Sequence, residues 1–180
     1  LEWTITDLTS TDAGPFSTEV SSWGISNYIS NRYTYCDNWI IGGYMSLGYY
    51  RAWNNDYYQS GQTFTKTYSV LPTHTGVFLT MTFYLISSWD LYADYFVVTI
   101  DDQDVAGYWY TSQSLFGDSC SGRPYMKINS FSRTSHSSNI LKLQIISRMD
   151  EGPDNESFGF RDIKMTFTQD TPPATNWCGR

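Results

Sequence analysis

Positive charge is scarce in this chain. Eleven Lys and Arg stand against eighteen Asp and Glu, for a formal net charge of −7, and no basic run exceeds two residues. A nucleic-acid partner needs clustered cations to neutralise phosphates, so that class of function is excluded. Histidine is scarcer still, with only His74 and His136. The three cysteines, Cys36, Cys120 and Cys178, form no C-x-x-C pair. So few nitrogen and sulfur ligands exclude a structural zinc site. No apolar stretch is long enough for a transmembrane helix. No G-x-S-x-G elbow occurs, and no useful window carries a 3.6-residue apolar period, so serine-hydrolase chemistry and a helical fold both lose their signatures. The sequence given begins at Leu1, not Met, and its first residues show no charged n-region and apolar h-region; the expectation is a mature, processed chain or an excised fragment.

Aromatic residues are abundant, at 18% of 180 residues, with fifteen Tyr and seven Trp. That content argues against disorder and for a pleated, half-buried surface. Alternating strand patterns recur along the chain. Glu2–Leu8 alternates, with Trp3 and Ile5 on one face. Trp39–Ile41 runs into Gly42-Gly43. Thr63–Val70 stops at Leu71-Pro72. In Val77–Ile86 the residues Leu79, Met81, Phe83 and Leu85 share a face. Tyr95–Ile100 leads through a turn at Asp101–Asp104 to a hairpin partner, Val105–Thr111. Ile140–Ser147 places Leu141, Leu143 and Ile145 together, and Phe158–Thr168 closes the set with Gly159 as a bulge. Polar, aromatic loops separate these strands at Ser10–Ser22, Gly48–Gln62, Thr111–Pro124 and Met149–Asn155, and His136 falls in the Ser-rich loop Ser132–Ser138. The pattern predicts an all-β antiparallel β-sandwich of jelly-roll type, with a small closed barrel as the alternative. Residues 1–14 read as an N-terminal strand or arm, 15–168 as the domain and 169–180 as a Pro-containing tail. A Cys36–Cys120 disulfide would leave Cys178 for another chain or a missing segment; three reduced thiols are the alternative.

Several segments, taken in order, resemble a galactose-binding-like jelly-roll module that recurs in ciliate and other protist extracellular proteins. They are Leu71-Pro72-Thr73-His74, the strand Val77–Leu85, Ile86-Ser87-Ser88-Trp89-Asp90 and, much later, Asn155-Glu156-Ser157-Phe158-Gly159-Phe160-Arg161-Asp162-Ile163. The resemblance spans about residues 15 to 168. Ser87 stands where that family usually has Asp, and Phe158 where it has Trp. The resemblance implies the jelly-roll fold, an extracellular setting and cysteines near Cys36 and Cys120. It also implies that His74 and His136 are structural hydrogen-bonding groups.

Asp90 and Asp94, with Asp154 and Glu156, supply the oxygen donors that calcium requires, provided the two segments meet at one end of the sandwich. Tyr50, Trp53, Tyr57 and Trp109 are aromatic faces on which a sugar ring can stack. Asn155-Glu156-Ser157 is an N-glycosylation sequon. Trp3, Ile5 and Leu8 form a strand able to complete the chain's own sheet or to add to the next copy. The expected function is therefore a secreted, non-enzymatic module for surface structure or adhesion that binds carbohydrate, calcium or both, with other surface proteins as further partners. A filament subunit exchanging its first strand is the alternative, and a glycosidase is a distant second alternative, because nothing singles out a carboxylate pair.

Overall fold

The computed structural model describes residues 2–9, 22–25, 34–35, 38–43, 61–89, 94–109, 118–120, 122–149 and 155–169. Among these every regular element is a strand. The elements are β1 (Trp3–Asp7), β2 (Gly24–Ile25), β3 (Thr34–Tyr35), β4 (Asn38–Trp39), β5 (Ile41–Gly42), β6 (Gly61–Ser69), β7 (Gly76–Ser87), β8 (Tyr95–Ile100), β9 (Gln103–Trp109), β10 (Asp118–Cys120), β11 (Arg123–Ser135), β12 (Ile140–Arg148) and β13 (Glu156–Thr168).

Two antiparallel sheets face one another. One runs β1-β13-β7-β11-β10, with β5 also on β13; the other runs β2-β6-β12-β8-β9; β3 and β4 form a separate ribbon. The chain crosses between the large sheets from β6 to β7, β7 to β8, β11 to β12 and β12 to β13. That alternation is the jelly-roll course, as expected.

Period-2 patterning explains which side of each strand is inside. Leu79, Met81, Phe83 and Leu85 of β7 and Leu141, Leu143 and Ile145 of β12 are all buried. Across the gap Phe83 stacks on Phe96, with ring centroids 3.9 Å apart. Phe64 meets Phe158 and Phe160 edge-on at 5.9 and 5.0 Å. Each fully buried aromatic contributes roughly 2–3 kcal/mol of transfer free energy.

At one edge the sheets are clasped by polar groups. Asp7 of β1 accepts hydrogen bonds from Lys66 Nζ and, at 2.9 Å, from Tyr68 Oη of β6. Lys66 Nζ also lies 5.7 Å from the Trp23 ring centroid. Burial, and then the Asp7 carboxylate, raise the Tyr68 hydroxyl well above its ordinary titration range.

Three expectations need correction. Gly159 is not a bulge: it pairs in register with Tyr84 and Gly42. It is glycine because a Cβ there would lie 2.5 Å from Ile40 Cδ1 and 2.9 Å from the Ile41 carbonyl oxygen. The bulge falls between Arg161 and Lys164. There Asp162 adopts φ 52° and its N–H donates to the Leu8 carbonyl at 2.8 Å. Secondly, Gln103 and Asp104 belong to β9, so the turn is the pair Asp101-Asp102, at φ 48° and 65°. Two consecutive left-handed residues are what a two-residue hairpin on twisted strands requires. Thirdly, the 13-residue β11 takes Arg123 and Pro124 from one expected loop and Ser132 to Ser135 from another.

Candidate functional site

The register defines two ends of the sandwich, and each gathers a different chemistry. At one end the β6–β7 connection, the β8–β9 turn and the β11–β12 connection converge. Leu71 N–H donates to the Asn139 carbonyl at 3.0 Å and His136 N–H to the Thr75 carbonyl at 3.2 Å. Both histidines sit here. His74 Nδ1 lies 2.6 Å from the Pro72 carbonyl oxygen, His74 Nε2 lies 2.6 Å from His136 Nδ1, and His136 Nε2 lies 2.9 Å from Asp101 Oδ2. The two rings lie side by side and nearly coplanar, 11° apart with centroids 4.9 Å apart, and Phe167 packs edge-on against His74 at 4.8 Å. The carbonyl and the carboxylate accept only, so both outer nitrogens must carry hydrogen. Asp101 is itself held by the Lys142 N–H at 2.8 Å, and Lys142 Nζ reaches Asp102 Oδ2 at 2.7 Å. The histidines thus tie three connections together and join the two sheets.

The opposite end holds the acidic residues expected to bind calcium that the structure describes, Asp94 and Glu156. Ser87 of β7 pairs with Glu156 of β13. Beyond it, the Ser88 N–H and Oγ both donate to the Asn155 carbonyl, at 3.0 and 3.1 Å. The fully buried Trp89 donates from Nε1 to the Ser157 carbonyl at 2.8 Å. The segment Ser87–Trp89 is therefore laced to Asn155–Ser157, which brings the two expected acidic segments to one end. Asp94 and Glu156 both have 0% relative exposure. Asp90 and Asp154 lie outside the described residues, and among the described residues no group of three His, Cys, Asp or Glu side chains is arranged to hold a metal. Asn155 is half-buried, and Ser157 of the sequon is fully buried.

The sugar-stacking candidates are placed less fully. Tyr50, Trp53 and Tyr57 lie outside the described residues, and Trp109 is located by its backbone alone, opposite Tyr95. Flanking strands are informative nonetheless. β5 ends and β6, β8 and β13 begin at the acidic end, where β9 and β12 finish. Cys36 and Cys178 are outside the described residues, as is the side chain of Cys120.

The assembly strand is found in its own sheet. Trp3, Ile5 and Asp7 of β1 oppose Phe167, Met165 and Ile163 of β13. Trp3 rests on Phe167 with centroids 5.4 Å apart and stays 42% exposed, whereas Leu8 is fully buried in the core. Sequence reasoning missed the structural parts of Trp89 and Arg161. Trp89 had a signal in the Ser-Ser-Trp-Asp motif. Arg161, 3.0 Å from Asp162 Oδ2, had none apart from its adjacency to that residue.

No protein-family model and no curated protein matches this chain. Solved structures with a similar chain course exist. One is dimeric latent PorU from Porphyromonas gingivalis: 11% identity, TM-score 0.41, 73% of this chain and 12% of that chain. This chain therefore spans only about an eighth of PorU. A second is TmCBM61 in complex with beta-1,4-galactotriose: 9% identity, TM-score 0.39, 87% of this chain and 96% of that one. A third is Caldicellulosiruptor saccharolyticus CBM27-1 in complex with mannohexaose: 10% identity, TM-score 0.45, 94% and 98%. The similarities are distant, and the architecture stands on the strand register itself.

Proposed function

We propose that this chain is a non-enzymatic, extracellular carbohydrate-binding module of a surface or adhesive protein, with calcium at its acidic end. The observation that supports it is the lacing of Ser87–Trp89 to Asn155–Ser157. It gathers Asp94, Glu156 and the strand ends that flank the aromatic segments at a single end of the sandwich. Asp94 and Glu156 would hold the ion, which takes oxygen ligands. The non-enzymatic reading is supported by the histidines, whose ring nitrogens are engaged with Pro72, with each other and with Asp101. The extracellular, protist-type setting rests on the resemblance of the motifs.

A glycan array probed with and without chelator tests both ligands. The expected result is a sugar signal, together with a rise in melting temperature on adding millimolar calcium. No sugar signal and no thermal shift would sink the reading. A second reading, a filament subunit, is supported by the edge position of β1, which among the described residues pairs with β13 alone. A strand so placed can be replaced by its counterpart from another copy.

A further inference from the structure

The outward face of the first sheet is basic, although the chain as a whole is acidic. Inward residues of β7 lie in the core, so Phe78, Thr80, Thr82 and Tyr84 point outward. In register with them on β11 are Arg133, Phe131, Asn129 and Lys127, and on β13 are Arg161 and Lys164. With Arg123, in step with Tyr125 two residues further on, five of the chain's eleven Lys and Arg occupy this face. Arg161 is buried beside Asp162. Lys127, Arg133 and Lys164 are exposed, and among the described residues none has a carboxylate within ion-pair distance. Phe131, 47% exposed, lies between them. Arg133 is two residues, about 7 Å, along the same strand, and Lys164 is two strands, about 10 Å, across. Asn129 Oδ1 accepts from Thr82 Oγ at 3.1 Å, which aims its NH2 donors elsewhere. Besides Asp162, the described carboxylate positions on this face are Glu2, at the far corner of β1, and Asp118 of β10, whose backbone pairs with Tyr125.

We infer that this face binds an acidic polysaccharide, one carrying uronate carboxylates. The inference rests on the carbohydrate reading for its ligand class and adds a surface distinct from the acidic end. A uronate ring presents C–H groups to Phe131, hydroxyls to Asn129 and Thr80, and carboxylates to the flanking cations. Flat β-structure holds these groups at fixed spacing along β11, which suits a linear polymer. Lys127 and Arg133 lie over the Tyr84 and Phe78 rings, at 5.9 and 5.2 Å, and three exposed cations on a chain of net charge −7 are too few for phosphate-driven binding of nucleic acid. Among the described residues no strand pairs with β11 beyond Tyr125 on the side away from β7, and charges there also discourage edge pairing. That role alone predicts no affinity for a polymer.

Affinity electrophoresis of the whole chain tests the inference, with native gels containing polygalacturonate, its methyl ester, neutral galactan or single-stranded DNA. Retardation is expected in polygalacturonate and should weaken with added salt. The triple variant Lys127→Gln, Arg133→Gln, Lys164→Gln should lose affinity by about tenfold, the modest loss expected of three exposed charge contacts. Phe131→Ala should weaken it separately. Both variants should melt with the parent chain, because the replaced side chains are exposed. The inference is overturned by equal retardation in the methyl ester or in DNA, by no retardation in polygalacturonate, or by an undiminished triple variant. Retardation in galactan alone would overturn it while leaving the carbohydrate reading intact. Silence in every polysaccharide would remove both.

Discussion

His136 illustrates how one side chain can organise a whole end of the fold. Its ring joins His74 to Asp101, and through them three chain connections. His136→Ala leaves His74 Nε2, on a residue only 2% exposed, without its partner. A buried polar atom so abandoned costs about 1–3 kcal/mol. Urea unfolding should therefore show a loss of that size with an unchanged m-value. A much smaller loss would mean that water replaces the imidazole. Gly159 is constrained for a different reason, the close passage of Ile40–Gly43. A methyl group there would strike the Ile41 carbonyl oxygen at 2.9 Å. Gly159→Ala is expected to destabilise by about 1–3 kcal/mol through forced backbone displacement. Thermal melts would read it directly, and a neutral result would show that β5 can lift away.

Among the elements, β1 is the one whose meaning changed most. Its alternation suggested a free arm as readily as a first strand. The register pairs it with β13, buries Leu8, and sends Asp7 between the sheets to Lys66 and Tyr68. Deleting residues 1–9 should therefore lower stability by several kcal/mol. It uncovers Ile163 and Phe167, opens a cavity at Leu8, and strands the Lys66 charge. Circular dichroism melts of the truncated chain would measure this. A truncated chain that melts normally but no longer forms polymers under the electron microscope would favour strand exchange. β11 escaped notice because its outward side carries Lys127, Asn129, Phe131 and Arg133, while the inward side includes Ser130, Ser132 and Thr134. Without an apolar row there was little alternation to read, and pairing along the whole of β7 holds it as a strand instead.

For the whole molecule, the clasp between the sheets sets a response to alkaline pH. Burial and Asp7 raise the Tyr68 hydroxyl above its ordinary value near 10. In the unfolded chain the phenol ionises near pH 10, while the folded chain keeps its proton. The stability this group contributes is thus complete below pH 10 and is lost progressively above it. A plot of unfolding free energy against pH should fall beyond pH 10, and Tyr68→Phe should make that fall shallower. Equal slopes would show that Tyr68 ionises freely in the folded state.

The β-sandwich was legible because period-2 burial writes itself into sequence. Leu79 to Leu85 and Leu141 to Ile145 declare an inner face without reference to any neighbour. A hairpin turn after Ile100 was legible from its run of turn-forming residues, although its restriction to Asp101-Asp102 was not. What depended on distant partners was not. The pairing of Ser87 with Glu156, the contact of His74 with His136 across 62 residues, and the clash that keeps position 159 as glycine exist only once the sheets are assembled. So does the basic face, whose cations lie on β11 and β13 and gather only through register with β7. Sequence alone determined which residues point inward, because that is a property of each strand. Tertiary structure alone decided which side chains meet, because antiparallel pairing sets neighbours by register rather than by distance along the chain.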